Sequence, residues 1–380
     1  MDESKFISSI AGEVRFDTDG MFSYFQPSEL PFDLQIGKDM IRKSRETLIA
    51  LSNLNGRVSG MEEEEKDILL STLILKESVH SSSIEGTRST IGDMYRSEKD
   101  KVDETVRRDV EEINNYREAL LSGIAHLQNG GKIDVRLLHS LHRTLMNGVR
   151  GGNKSPGEFK TSQNAIGTPG DTLETAKMVP APPAAVERLI DNLLDYIDSD
   201  EDPLIKIALI HYQFETIHPY RDGNGRIGRL LIMLLLCKEG ILTYPVIYPS
   251  EYFDRNRSRY IDLLFEVSSE DRFTEWFSFF LGALKEQTDR SFAMISALAA
   301  YRKQLYSRCA SKTETDLVKL FFVNPYLNSK DVADKCGVSS PTAMKLLSKM
   351  ESVGILREVT GRKRNRLYIA DGVLDILMGR

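Results

Sequence analysis

The sequence predicts a mainly α-helical protein: a helical N-terminal region, a helical core interrupted by one hairpin or ordered loop, and a small winged helix-turn-helix unit at the C-terminus. Three observations carry this expectation. Apolar residues recur at spacings of three and four over most of residues 41–306, the period of amphipathic helices. Residues 151–183 break that rhythm with a concentration of Gly, Pro, Asn and Thr, which suits a hairpin or a functional loop. Residues 311–380 then turn to three short helical patterns followed by two strand-like runs joined at Gly361-Arg362-Lys363-Arg364-Asn365.

A chain of 380 residues exceeds one ordinary core, so two or three packed units are expected. The boundaries read as residues 1–105 for the N-terminal helical region, 106–290 for the core, 291–310 for a helical linker and 311–380 for the winged helix. A hydrophobic content of 41% with 28% charged residues is the balance of a soluble globular protein and excludes a disordered chain. Cys237, Cys309 and Cys336 lie far apart, with neither metal-ligand spacing nor disulfide density, which suits a reducing, cytoplasmic setting. No signal peptide is visible, and the longest apolar stretch, residues 230–237, is far short of the roughly 20 residues that span a bilayer, so no membrane partner is expected.

Along the chain, Glu62 to Glu65 open a long helix at the end its dipole favours, and Gly86 reads as the cap that closes it. Asp202 is a plausible N-cap with Pro203 at the first helical position, starting a helix that is apolar almost all round and therefore buried. Ser340 reads as the N-cap of the third C-terminal helix, with Pro341 at its first position.

The chemistry concentrates in residues 218–229, which read HPYRDGNGRIGR. Pro219 forces His218 away from helical geometry, so the buried helix ends there and the imidazole stands on a rigid platform. In Asp222-Gly223-Asn224-Gly225 the glycines allow positive φ and turn successive N–H groups toward one point, an anion nest that abuts the next helix start. Arg226 and Arg229, three apart, share one helix face while Ile227, Leu230, Leu231 and Leu234 anchor the other, so both guanidinia are expected to fork onto phosphate oxygens. Asp222 fits as a ligand to a bridging Mg²⁺ or Mn²⁺, and His218, with a pKa near neutrality, as a general base.

Elsewhere, Tyr252, Asn256 and Tyr260, spaced by four, are candidates for an adenine pocket or for a plain buried aromatic face. His139 and His142 lack a third ligand and read as structural, and His211 as a satisfied core residue.

The run His218-Pro219-Tyr220-Arg221-Asp222-Gly223-Asn224-Gly225-Arg226 with Arg229 resembles the signature of Fic proteins, with Tyr220 where Phe is usual. That ring-for-ring change keeps the packing and asks for a partner for its hydroxyl. The resemblance implies a Fic helical core with a β-hairpin flap and transfer of AMP from ATP to a Ser, Thr or Tyr hydroxyl of a target protein, with pyrophosphate leaving and self-modification included. On that reading His218 is the base, Asp222 the metal ligand, Gly223, Asn224 and Gly225 the phosphate nest, and Arg226 and Arg229 the clamps on the outer phosphates.

Two further segments look like parts of the same family. Ser81, Glu85 and Gly86 match its inhibitory motif, placed before the catalytic segment; Glu85 paired with Arg229 would exclude the γ-phosphate by occupancy and by like charge. In some relatives a glutamate here resembles a base for the reverse reaction, removal of AMP. Residues 157–183 are similar to the flap that holds a target peptide beside the site.

The C-terminal unit carries twelve Lys and Arg against eight Asp and Glu. DNA contact through residues 341–352 and 362–366 is one expectation, protein docking or a homodimer another. The rival to a transferase is therefore a DNA-binding regulator whose Fic core senses nucleotide. A different phosphate-bearing donor is a third reading.

Overall fold

A computed structural model describes residues 1–168 and 170–379 and contains, among these, fifteen α-helices and two small sheets. The chain does not open with helices. After a short 3₁₀ turn, strands β1 (Gly12–Asp17) and β2 (Phe22–Pro27) pair antiparallel in register from Gly12↔Pro27 to Asp17↔Phe22. The period-two alternation of Val14 and Phe16 with charged neighbours explains the strand, and Asp17 Oδ1 closes the turn by accepting the N–H groups of Asp19 and Gly20 at 3.0 and 2.6 Å. The expected helical region over residues 1–105 thus begins with a hairpin, and becomes helical only at α1 (Lys38–Ser59), α2 (Glu63–Ile84) and α3 (Ile91–Ser97).

The core follows as α4 (Glu104–Gln128), α5 (Val135–Leu145), α6 (Pro183–Tyr196), α7 (Pro203–Ile217), α8 (Asn224–Lys238), α9 (Pro249–Arg255), α10 (Arg257–Glu270) and α11 (Phe273–Tyr306). Helices α7 and α8 lie at the centre. Nearly every residue of both is buried, and α2, α4, α6 and α11 surround them. Each Leu or Ile buried there contributes roughly 1.5–3 kcal/mol. Trp276 of α11 donates its indole N–H to Ala208 O at 3.0 Å, satisfying its one polar atom. A Cβ at Gly123 would meet Leu234 at 2.9 Å, so the glycine permits the close approach of α4 to α8.

Asp202 caps α7 as expected: its Oδ1 accepts the N–H groups of Leu204 and Ile205, both at 3.1 Å, while Ser44 of α1 donates to both its oxygens. Among the described residues of 157–182, Ile166 and Met178 form an isolated antiparallel bridge and no regular hairpin. Side-chain bonds do the bracing there, as Gln163 donates to Pro180 O at 2.7 Å. The expected separate linker at residues 291–310 is mostly the end of the 34-residue α11.

The C-terminal unit comprises α12 (Lys312–Val323), β3 (Tyr326–Asn328), α13 (Ser329–Cys336), α14 (Ser340–Ser352), β4 (Arg357–Glu358), β5 (Leu367–Ile369) and α15 (Asp371–Met378), with sheet order β3-β5-β4. The order helix, strand, helix, helix, strand, strand is the one expected for a winged helix-turn-helix. The N-cap of α14 is Ser339, which accepts from Thr342 N–H, because Pro341 occupies the second helical position and not the first. The unit docks on the front of the chain: Lys76 donates to Leu377 O at 2.9 Å, Asn324 to Tyr95 O at 3.2 Å, and Arg362 of the wing lies 3.1 Å from Asp100.

Asp202→Ala removes both the α7 cap and the partner of Ser44. It is expected to cost about 1–2 kcal/mol, read as a lower midpoint in guanidinium chloride unfolding; an unchanged midpoint would show that the cap carries no weight.

Candidate functional site

The site is built where α7 ends and α8 begins. His218 takes the left-handed conformation, φ 52° and ψ 59°, and closes α7 by donating its N–H to Phe214 O at 3.0 Å. Its ring Nδ1 lies 3.1 Å from Glu215 O. A carbonyl oxygen can only accept, so Nδ1 carries the proton and Nε2 keeps the lone pair. Burial, and after it the nearby Lys160 ammonium, push the imidazole down to about 4, so it is neutral at physiological pH.

The loop is clamped from residues 157–164. Lys160 N–H donates to Pro219 O at 2.8 Å, and its buried amine donates to Asn164 Oδ1 at 2.9 Å and Ile217 O at 3.2 Å. Asn164 in turn donates to His218 O and Tyr220 O at 3.2 and 2.9 Å. Tyr220 is fully buried, stacked on His142 with centroids 3.9 Å apart, and its hydroxyl finds the partner it requires in His139 Nδ1 at 3.2 Å. His142 itself spans the loop. Its Nε2–H donates to Asp222 O at 2.9 Å and its Nδ1 accepts Gly157 N–H at 2.8 Å, an arrangement that requires the neutral ring. Burial pushes its pKa to about 4.

Gly223 is left-handed at φ 76°, and a Cβ there would meet Met146 Sδ at 2.9 Å. The Asn224 side chain turns inward, accepting Tyr220 N–H and donating to Tyr220 O, both at 2.8 Å, so it braces the turn and offers the site only its backbone. The first helical bond of α8 is Ile227 N–H to Gly223 O, which leaves the N–H groups of Asn224, Gly225 and Arg226 at the open, positive end of the helix. Asp222 accepts Gly223 N–H on one oxygen and pairs with Lys154 at 2.8 Å on the other. Burial alone would raise its carboxyl, but Lys154, Arg226 and that N–H together hold it below its ordinary value.

Arg229 is 1% exposed; its Nε donates to Ser81 Oγ at 3.0 Å and its Nη2 to Ser81 O and Glu85 Oε1, each at 2.8 Å. A Cβ on Gly225 would lie 2.4 Å from Glu85 Oε1, so the carboxylate sits directly on the first turn of α8. Glu85 is held in turn by Arg150, which donates to its carbonyl at 2.9 Å, and by the preceding bond of Arg257 to Ile84 O at 3.0 Å. Burial works against its charge, and Arg229 first, with Arg226 after it, more than compensates, so its pKa is lowered. Arg226, 2% exposed, reaches Met146 Sδ at 3.4 Å and lies 3.5 Å from Glu112 Oε2, with its Nε and Nη1 lacking hydrogen-bond partners.

The structure therefore brings Ser81, Glu85, His218, Asp222, Gly223, Asn224, Gly225, Arg226 and Arg229 together. Tyr252, Asn256 and Tyr260 lie across the junction of α9 and α10, where helical bonding runs on: Asn256 N–H donates to Tyr252 O at 3.1 Å and Tyr260 N–H to Asn256 O at 2.9 Å, and both tyrosine rings pack on Phe279, with centroids 5.2 and 6.5 Å away. Tyr260 is buried, bonded to His211 Nε2 at 2.8 Å and stacked on Phe253; Asn256 donates to Tyr252 O, and the Tyr252 ring packs on Phe279. His211 is a core residue with Nε2 satisfied and Nδ1 without a partner. Glu112 and Lys154 carried no sequence expectation, while His142, read as structural, and Lys160 and Asn164, read only as part of residues 157–183, brace the loop; each comes from a segment at least 54 residues from its partner in the 217–226 stretch.

Sequence profiles match along most of the chain: the Fic/DOC family over residues 132–236, the Fic/DOC family N-terminal region over residues 41–125, and the C-terminal domain of the protein adenylyltransferase SoFic-like group over residues 300–372. Among curated proteins, a probable protein adenylyltransferase of Aquifex aeolicus is 36% identical over 94 residues, 24% of this chain and 27% of its own. The protein adenylyltransferase Fic of Drosophila willistoni is 31% identical over 140 residues, 35% of this chain and 24% of its own. The matches thus span about a quarter of the length of these relatives. Among solved structures, a Fic family protein from Desulfovibrio desulfuricans G20 aligns over 89% of this chain and 97% of its own with a TM-score of 0.56 at 20% identity. Fic-1 (residues 134–508) from C. elegans aligns over 69% of this chain and 74% of its own, with a TM-score of 0.53 at 19% identity. These likenesses share the fold, and the two Fic/DOC profiles together with the assembled signature place the sequence: the chain belongs to the Fic/DOC family.

Proposed function

We propose that this chain transfers AMP from ATP to a hydroxyl of a target protein and that Glu85 holds the site closed at rest. The observation that carries the reading is the pairing of a base-ready His218 Nε2 with a helix start flanked by two buried arginines, one of which, Arg226, has N–H donors unspent. Anions are stabilised at such a helix end by dipole and donors together. The adenylyltransferase names of the relatives support AMP as the group moved.

In this reading the target hydroxyl gives its proton to His218 Nε2 as its oxygen bonds to the α-phosphorus, and the bond to pyrophosphate breaks. Arg226 and the first-turn N–H groups of α8 take the charge that develops on the phosphate oxygens. Arg229 binds the outermost phosphate once Glu85 has withdrawn. Asp222 would hold Mg²⁺ or Mn²⁺: its carboxyl is ionised and partly exposed, Lys154 can yield, and these ions take one or two carboxylates with substrate phosphates supplying further ligands. A bound ion neutralises charge on the leaving pyrophosphate. Residues 157–183 border His218 through Lys160 and Asn164, and are where we place the target segment.

Glu85 occupies the position an outer phosphate needs, on Arg229 and against Gly225. Glu85→Gly is expected to raise incorporation from α-labelled ATP at least about tenfold, the factor that about 1.4 kcal/mol of barrier gives; equal labelling of variant and parent would sink the inhibitory role. Adding His218→Ala to that variant is expected to lower labelling by about 10²–10⁴, and labelling that survives undiminished would remove His218 as the base. Because the His218 pKa is about 4, the labelling rate of Glu85→Gly is expected to show no inflection from His218 between about pH 6 and pH 8. An inflection in that range that disappears on His218 substitution would contradict the buried, neutral imidazole.

A further inference from the structure

Glu112 is a carboxylate that neither the signature nor the inhibitory motif includes. It projects from α4, is 6% exposed, and its Oε2 is buried without a hydrogen-bond partner. The nearest cations are Arg226 Nη1 at 3.5 Å and Arg150 Nη2 at 3.8 Å. Arg226 is buried more deeply still, and its other neighbours are the weakly accepting Met146 Sδ at 3.4 Å and Asp222 Oδ1 at 3.9 Å.

A guanidinium removed from water needs a compensating negative charge. Asp222 is a poor standing partner, since it is already engaged by Lys154 and, on the reading above, turns to a divalent cation when nucleotide binds. Arg150 is largely exposed, and it is occupied with Glu85 O, so it competes little for Glu112. Burial pushes the Glu112 carboxyl up while Arg226 and Arg150 act against that. At 3.5 Å with no hydrogen bond formed, Glu112 attracts Arg226 through charge without consuming its donors.

We infer that Glu112 is a positioning residue for nucleotide binding: from α4 it fixes the Arg226 guanidinium in its phosphate-facing pose by charge alone. The inference rests on the phosphate-binding role proposed for Arg226. The close packing of α4 on α8 at Gly123 and Leu234 brings the carboxylate there, and the buried stripe Glu112, Ile113, Tyr116, Ala119 and Leu120 keeps the helix in place.

The test is a double-mutant cycle on the full chain, with Glu85→Gly present throughout so that the site is open. Mg·ATP binding is measured by calorimetry and labelling kinetics are run in parallel. Glu112→Gln, which keeps shape and removes charge, is expected to weaken Mg·ATP about five- to tenfold and to raise KM more than it lowers kcat. Glu112→Asp, which keeps the charge, is expected to recover part of the loss. Arg226→Ala is expected to weaken binding at least as much as Glu112→Gln, and the double variant Glu112→Gln/Arg226→Ala no more than Arg226→Ala alone. Undiminished or tighter binding by Glu112→Gln, or losses that multiply in the double variant, would overturn the inference while leaving the phosphate role of Arg226 intact. Unchanged binding by Arg226→Ala would overturn that role and the inference with it.

Discussion

Arg229 is a charged group placed almost wholly out of water, and the surrounding structure is arranged to meet its needs. Its donors go to Ser81 Oγ, Ser81 O and Glu85 Oε1, all from the last turn of α2 or its cap. Removing the carboxylate leaves the buried guanidinium with only the Ser81 acceptors. The end of α2 is therefore fixed against the start of α8 by a single guanidinium. The same helix is tied to the core by Glu77, which accepts from Tyr116 Oη at 3.1 Å and from Ser250 N–H at 3.0 Å. Any group that displaces Glu85 from Arg229 has to be an anion able to reach the first turn of α8, and this constraint links the end of α2 to the proposed phosphate site.

The C-terminal unit rests on the same part of the chain. Lys76 lies two turns before Glu85 on α2 and donates to the last turn of α15, while Asn324, Asp331 and Arg362 meet Tyr95, Lys99 and Asp100 just beyond it. Arg362, expected from sequence among the cations of a DNA-contacting wing, is paired with an acidic residue of its own chain. The exposed cations left on the wing are Lys363, Arg364 and Arg366.

What could be read from sequence was the chemistry that is local in the chain. Pro219 after an apolar helix, glycines around Asn224 and two arginines three apart fix a helix end, a nest and a helix face within twelve residues, and each is a matter of backbone sterics and helical period. The Ser81–Glu85 spacing was equally local, although its meeting with Arg229 spans 144 residues and came from family likeness. The particular contacts of Glu112, His142, Lys160 and Asn164 were not legible because they arise from packing between distant segments. The spacing of Tyr252, Asn256 and Tyr260 was local as well: it assumed helical bonding, and that bonding runs on through the cap at Asn256. The N-terminal hairpin carried a legible alternation, but one too short to stand out beside the helices that follow.

The central claim is that Glu85 stands in the place of an outer phosphate, and comparing Mg·ATP with Mg·ADP tests it most directly. Calorimetric affinities of both nucleotides for the parent and for Glu85→Gly separate displacement of one phosphate from a general loosening of the site. Binding of Mg·ATP is expected to tighten by about tenfold in the variant while Mg·ADP changes little, so that ATP gains its advantage only when the carboxylate is gone. An equal shift for both nucleotides, or no shift for either, would contradict the placement of Glu85 at the γ-phosphate position.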